Sequence, residues 1–206
     1  MGQNAAMTKD GIRFAPGAAA GKQRILRAAL RLFTEKGLCE TSIRDIGAAA
    51  ELSNPALYKH YESKDALAQE LFVFCYRWLH SALERVVRGD FESFATQFAA
   101  YSSTFFRRFE TAPEVVIYIS DNIQHFWPAV QADVAGDTFI EQINRMLMSA
   151  IDRKEISDDL DTDLTSAIII GGIQQLSRMW YLGLLERPAT DWAESFTERI
   201  LALAER

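Results

Sequence analysis

The run Leu52-Ser-Asn-Pro-Ala-Leu-Tyr-Lys-His-Tyr61 decides how the chain is read. Ser53 is an N-cap by type, and Pro55 is tolerated in the first helical turn, where its missing N–H has no intrahelical partner to lose. The helix opened there is short. It offers Ser53, Asn54, Ala56, Tyr58, Lys59 and His60 to a partner, while Leu57 between them points inward. A brief helix with small and polar groups at its N-terminal end is the chemistry that enters a DNA major groove. Asn54 can read adenine there, and the Ala56 methyl can meet only a thymine methyl.

Working outward, Ser42-x-x-Asp45 resembles a capping box, and Ile43, Ile46 and Ala50 follow on one helical face. Upstream, Ile25, Ala29, Leu32 and Phe33 stripe a helix that begins near Lys22 and stops at Gly37. Ser63-Lys-Asp opens a fourth helix that runs to about Val87. Three short helices in about 40 residues, the last two joined by a tight turn at Leu52, form a helix-turn-helix arrangement.

Those residues also carry a family likeness. Arg24-Ile-Leu-Arg-Ala-Ala-Leu-Arg-Leu-Phe-Thr-Glu-Lys-Gly37, Thr41-Ser-Ile-Arg-Asp-Ile46, Leu52–Tyr61 and Ser63-Lys-Asp-Ala-Leu67 appear in order. This pattern resembles the DNA-binding head of the tetracycline-repressor family of bacterial transcriptional regulators. The likeness covers Gly21–Phe72, a quarter of the chain. It implies an all-α fold, dimerisation and a ligand cavity in the remainder. Carried over residue by residue, it implies phosphate contacts from Thr41, Ser42, Tyr58, His60 and Lys64, with Arg44 near the groove. The family's frequent Lys-Gly-Thr is replaced here by Asn54-Pro55-Ala56, and its frequent Tyr by Lys59. The operator should therefore differ from that of relatives with the commoner version.

Charge agrees with a polyanion partner. The net charge of −6 hides +3 over residues 1–65 and −9 over residues 66–206. A basic head on an acidic body suits a protein whose first third meets nucleic acid. Three divisions follow: a flexible Gly/Ala-rich arm over 1–21, a helix-turn-helix domain over 22–65, and a larger helical ligand-binding and dimerisation domain over 66–206.

In the body, helices are expected over Phe91–Phe109, Pro113–Asn122, Phe139–Lys154, Asp163–Gly183 and Asp191–Glu205, with breaks at Gly89, Pro113, Pro128, Gly136 and Pro188. The β-branched run Val115–Ile119 is the lone strand suspect. Leu71–Leu79 is apolar on nearly every face, so it must be covered on several sides. Leu164, Ile168, Leu176 and Trp180 stripe one late helix. Trp192, Phe196, Ile200 and Leu203 stripe the next. Packed with their mates in a second copy they would form a four-helix bundle, with Gly171-Gly172 allowing close approach. The many aromatic side chains suggest a cavity for an apolar or aromatic effector. Tyr76, His80, Tyr101, Arg107 and His125 are its candidate polar groups.

Other chemistries lack their residues. Gly17-Ala-Ala-Ala-Gly21-Lys22 fails as a phosphate loop on spacing and on Gln23. Asp159-x-Asp161-x-Asp163 fails as a calcium loop because Leu164 and Ile170 stand where Gly and Glu are needed; a helix N-cap is the better reading. Catalytic-triad, zinc-protease and dinucleotide motifs do not occur, no cofactor or metal is expected, and Cys39 and Cys75 read as buried, inert thiols. No apolar run reaches the ~18–20 residues that span a bilayer.

The reading is a non-enzymatic, cytoplasmic, homodimeric repressor. A small effector releases it from a pseudo-palindromic double-stranded operator. Activation in place of repression stays open. The rival is an all-helical small-molecule-binding protein or enzyme with a non-functional head.

Overall fold

The computed structural model describes residue 14, residues 19–134 and residues 136–204. The proposed arm over 1–21 lies almost wholly outside the described residues. Among the described residues the regular structure is helical, with no strand. Two compact units are present, and the division between them falls within the fourth and sixth helices.

The first unit holds the described residues up to Arg77 together with Glu114–Val130. It contains α1 (Ala20–Lys36), α2 (Ile43–Ala49), α3 (Asn54–Tyr58), the first half of α4 (Lys64–Val87) and most of α6 (Pro113–Asp133). The inner face of α1 is wider than the expected stripe and buries Ile25, Leu26, Ala28, Ala29, Leu30, Leu32 and Phe33. Phe33 stacks on Tyr118 at 5.8 Å, and Phe72 lies 5.0 Å from Phe126. The Tyr118 hydroxyl donates to the Ala68 carbonyl at 3.0 Å, so this buried phenol is hydrogen-bonded.

α6 agrees with one expectation and corrects another. Val115–Ile119 lies in the helix expected over Pro113–Asn122 and not in a strand, and every residue of it is buried. β-Branched residues suit such a helix when packing on all sides outweighs their weak propensity. Nor does the helix end near Asn122: it continues through Pro128 to Asp133.

The second unit holds Trp78–Pro113 and the described residues from Gln131 onward. It contains the end of α4, α5 (Phe94–Thr111), α7 (Phe139–Asp152), α8 (Thr162–Tyr181), a 3-10 turn (Ala189–Asp191) and α9 (Trp192–Ala204). α5 starts three residues later than its pattern suggested, because Ser93 and Thr96 form a reciprocal cap there. Asp161 caps α8 by accepting from the Leu164 amide at 2.9 Å, in keeping with the cap reading of the Asp159–Asp163 run. Phe196 of α9 packs 6.3 Å from Phe98 and 5.9 Å from Phe106. Phe196 and Ile200 are therefore buried within the chain, which corrects the expectation that the whole α9 stripe faces a second copy. Gly172 lets α9 approach closely: a Cβ there would lie 3.0 Å from Phe196 Cε2, so the ring would have to shift. Gly171 has nothing within 4 Å.

α7 closes on a residue in the left-handed region, Lys154, with φ 58°. The Glu155 amide reaches back to the Ala150 carbonyl at 2.9 Å and the Lys154 amide to Ile151 at 2.8 Å, the paired bonds of a Schellman end. A side chain pays for that conformation by roughly 1–2 kcal/mol. Lys154→Gly is expected to raise stability by about 1 kcal/mol in a urea titration.

The cysteines differ. Cys75 is buried, and burial pushes its thiol far above the ordinary range. Cys39 is exposed, against the expectation of two buried thiols. Titration of the native protein with a disulfide reagent is expected to label Cys39 promptly and Cys75 only on unfolding.

Candidate functional site

The helix-turn-helix surface is built by α2, α3 and the residues that frame them. Ser42 caps α2. Its hydroxyl accepts from the Asp45 amide at 3.2 Å, and Asp45 Oδ2 accepts from the Ser42 amide at 2.9 Å and the Ser42 hydroxyl at 2.6 Å. These bonds, the side-chain one foremost, hold the Asp45 carboxyl below the usual carboxylate range. α2 ends on a second left-handed residue, Glu51 (φ 56°), with the Leu52 amide bonded to the Gly47 carbonyl at 2.9 Å. The turn is tight: a Cβ on Gly47 would lie 3.2 Å from Asn54 Oδ1 and from the Leu52 carbonyl.

α3 is five residues long. Ser53 caps it by accepting from the Ala56 amide at 3.4 Å, and Leu57 is fully buried beneath it. With Leu57 as the anchor, Ser53, Tyr58, Lys59 and His60 are exposed, Tyr58 by 52 %, while Asn54 and Ala56 are half-buried. Arg44 is exposed on α2. His60 lies beside the first turn of α1, its Nε2 3.5 Å from where a Gly21 Cβ would stand. Behind α3, Lys22 pairs with Glu70 at 2.6 Å and the Tyr61 hydroxyl meets Glu70 at 3.3 Å. Burial, then the Glu70 carboxylate, push the Tyr61 phenol upward, so it stays a neutral donor.

Two residues assigned to phosphate are engaged elsewhere. Thr41 is 1 % exposed, and its hydroxyl is directed to the Gly37 carbonyl at 2.8 Å and the Leu32 carbonyl at 3.3 Å. It closes the α1–α2 connection, and Ser42 is the exposed hydroxyl of the pair. The Lys64 ammonium donates to the Leu38 carbonyl at 2.8 Å, tying the start of α4 to the same connection. An ammonium has three donors, so Lys64 keeps others for an anion.

The five candidate effector residues do not gather in one unit. Tyr76 and His125 belong to the first, His80, Tyr101 and Arg107 to the second. Tyr76 and Tyr101 are buried, in ring contact with Phe72 and Phe98 respectively. His125 and Arg107 are exposed.

His80 sits in an ionic cluster that sequence reading missed. Its Nε2 donates to the Asp137 carbonyl, and ligand atoms of His80, Glu84 and Asp137 lie within 4.8 Å of one another. Arg145 already bridges the two carboxylates, at 2.8 Å to Glu84 and 2.5 Å to Asp137, and Arg88 also pairs with Glu84. Burial works against the Asp137 charge, but the Arg145 guanidinium outweighs it and keeps the carboxyl low. Only the i,i+4 pair of Glu84 and Arg88 has a local sequence signal. Nearby, a cavity of about 420 Å³ is lined by residues that include Arg88, Arg145 and Arg153.

Residues 25–71 match the family model described as bacterial regulatory proteins, tetR family. The transcriptional repressor KstR2 of Mycobacterium tuberculosis H37Rv is 28 % identical over 157 residues, covering 70 % of this chain and 74 % of that protein. KstR2 of Rhodococcus jostii RHA1 is 28 % identical over 104 residues; there the chain spans half the length of its relative. Among solved structures, M. tuberculosis KstR2, titled a ketosteroid transcriptional regulator, superposes with a TM-score of 0.80 at 21 % identity, over 94 % of this chain and all of that one. A FadR transcriptional regulator of Bacillus subtilis, solved with stearoyl-CoA, gives 0.73 at 16 % identity over 87 % of this chain and 97 % of that one.

Proposed function

We propose that this chain, whose residues 25–71 match the tetR family model of bacterial regulatory proteins, is a homodimeric transcriptional repressor of that family that leaves its operator when a small apolar or aromatic molecule binds. The observation that carries the reading is α3: a five-residue helix anchored by buried Leu57, with Tyr58, Lys59 and His60 exposed at its end. Ser53, Asn54 and Ala56 face base edges, Ser42, Tyr58, His60 and Lys64 hold phosphates, and Arg44 lies near the groove. Two copies set their heads a helical turn of DNA apart, ~34–36 Å, through α8, whose Leu164 (58 % exposed) and Ile168 (44 % exposed) are uncovered.

The effector binds in the body and acts on the head through α4, whose first turn belongs to the head. That a ketosteroid transcriptional regulator and a regulator solved in complex with stearoyl-CoA share this fold supports an apolar ligand. A ~100-fold preference for the released state supplies ~2.7 kcal/mol and loosens operator binding by up to the same factor. Cytoplasmic residence follows from this role, and no helix among the described residues is long and apolar enough to cross a membrane.

The test is selection from random duplex DNA at two salt concentrations. Enrichment of one palindrome, with affinity falling steeply as salt rises, supports the reading; indifference to duplex DNA in dilute buffer refutes it. Sedimentation of Ile168→Glu tests the dimer: an unchanged mass rejects α8 as the interface.

A further inference from the structure

The second unit holds a cavity whose chemistry neither the helix-turn-helix surface nor the five candidate effector residues use. Its volume, about 420 Å³, falls within the range of small-molecule sites and exceeds what a bare phosphate fills. Arg88 follows the end of α4, Arg145 stands on α7, and Arg153 follows the end of α7; all three line it. Asp90 is the acid among the lining residues.

The guanidiniums are held from outside the lining. Glu84 and Asp137 take Arg145, Glu84 takes Arg88, and Glu155 takes Arg153 at 2.6 Å, yet none of these carboxylates lines the cavity. Each guanidinium carries five N–H donors in a planar fork that fits a phosphate, and the bonds to protein leave donors on each to spare. The last carbonyls of α4 would present partial negative charge here. Gln97 covers them: its amide nitrogen donates to Val87 at 3.0 Å and to Val86 at 3.4 Å. The lining also carries apolar side chains, Val87, Phe91 and Met146. The Phe91 ring folds over Gly89 so closely that a Cβ there would lie 2.6 Å from it.

We propose that this cavity binds the phosphate or diphosphate group of a phosphorylated organic molecule, gripped by Arg88, Arg145 and Arg153 with the organic part against Phe91. The site stands on its own residues and does not depend on the operator reading.

Calorimetric titration of the full chain with ADP, inorganic pyrophosphate and adenosine tests it. ADP and pyrophosphate are expected to bind, ADP more tightly, and adenosine not at all. Losing one charge-assisted contact is expected to weaken ADP by about tenfold or more in Arg145→Gln and in Arg88→Gln. Arg145→Gln also strips two carboxylates of their partner and can compromise folding. Arg88→Gln guards against that, since its side chain is 74 % exposed with Glu84 as its salt-bridge partner. Absence of binding to both phosphate compounds overturns the proposal, as does ADP affinity unchanged in the folded Arg88 and Arg145 variants. Tighter binding of pyrophosphate than of ADP overturns the role of Phe91.

Discussion

Phe72→Ala is expected to cost about 3–5 kcal/mol and to lower Tm by about 6–20 °C for a chain of this size. Phe72 is fully buried on α4, and its ring meets three others, Tyr76, Tyr118 and Phe126. Truncation leaves a void bounded by rings whose positions are fixed by further contacts, so collapse into it is limited. Tyr118 in particular is held by its bond to Ala68 and its stacking on Phe33. Thermal denaturation followed by circular dichroism reads the result. A shift below about 3 °C would mean that the aromatic cluster relaxes freely and that its packing is not what holds α1, α4 and α6 together.

Tyr58→Ala is expected to weaken operator binding by about tenfold to a hundredfold, a phosphate contact and its apolar flank being lost together, while Tm moves by less than about 2 °C. The contrast with Phe72 comes from exposure: 52 % of Tyr58 faces solvent, so little packing is forfeited. Fluorescence anisotropy on the selected duplex, paired with a melting curve, separates the two effects. A large fall in Tm with unchanged affinity would make Tyr58 a structural residue and remove it from the DNA surface.

The local grammar of the head was readable because it is short-range. Ser42 and Asp45 are three residues apart and cap each other, Ser53 and Pro55 open α3, and Leu57 has one inward direction available. All-helical architecture was readable from periodicity for the same reason. Burial was less so. Thr41 and Ser42 are adjacent hydroxyls, and nothing local says that the first turns to the Gly37 and Leu32 carbonyls while the second faces out. Val115–Ile119 raised a strand suspicion because β-branching is a local property, whereas the helix expected over Pro113–Asn122 holds there with every one of these residues buried. The cluster of His80, Glu84, Asp137 and Arg145 was illegible: Asp137 stands 57 residues from His80, and only folding makes them neighbours. The cavity between the end of α4 and α7 was hidden by the same kind of distance.

Pro128 gives α6 a built-in difference in how fast its two ends open. Without an N–H, Pro128 leaves the carbonyl of Gln124, an exposed residue four positions back, without its ladder bond. The few residues beyond it are thus tethered by one ladder bond fewer, while Val115–Ile119 lie sealed in the interior. In deuterated buffer the amides of residues 129–133 should exchange well before those of 117–119, marking the C-terminal turn of α6 as looser than its buried middle.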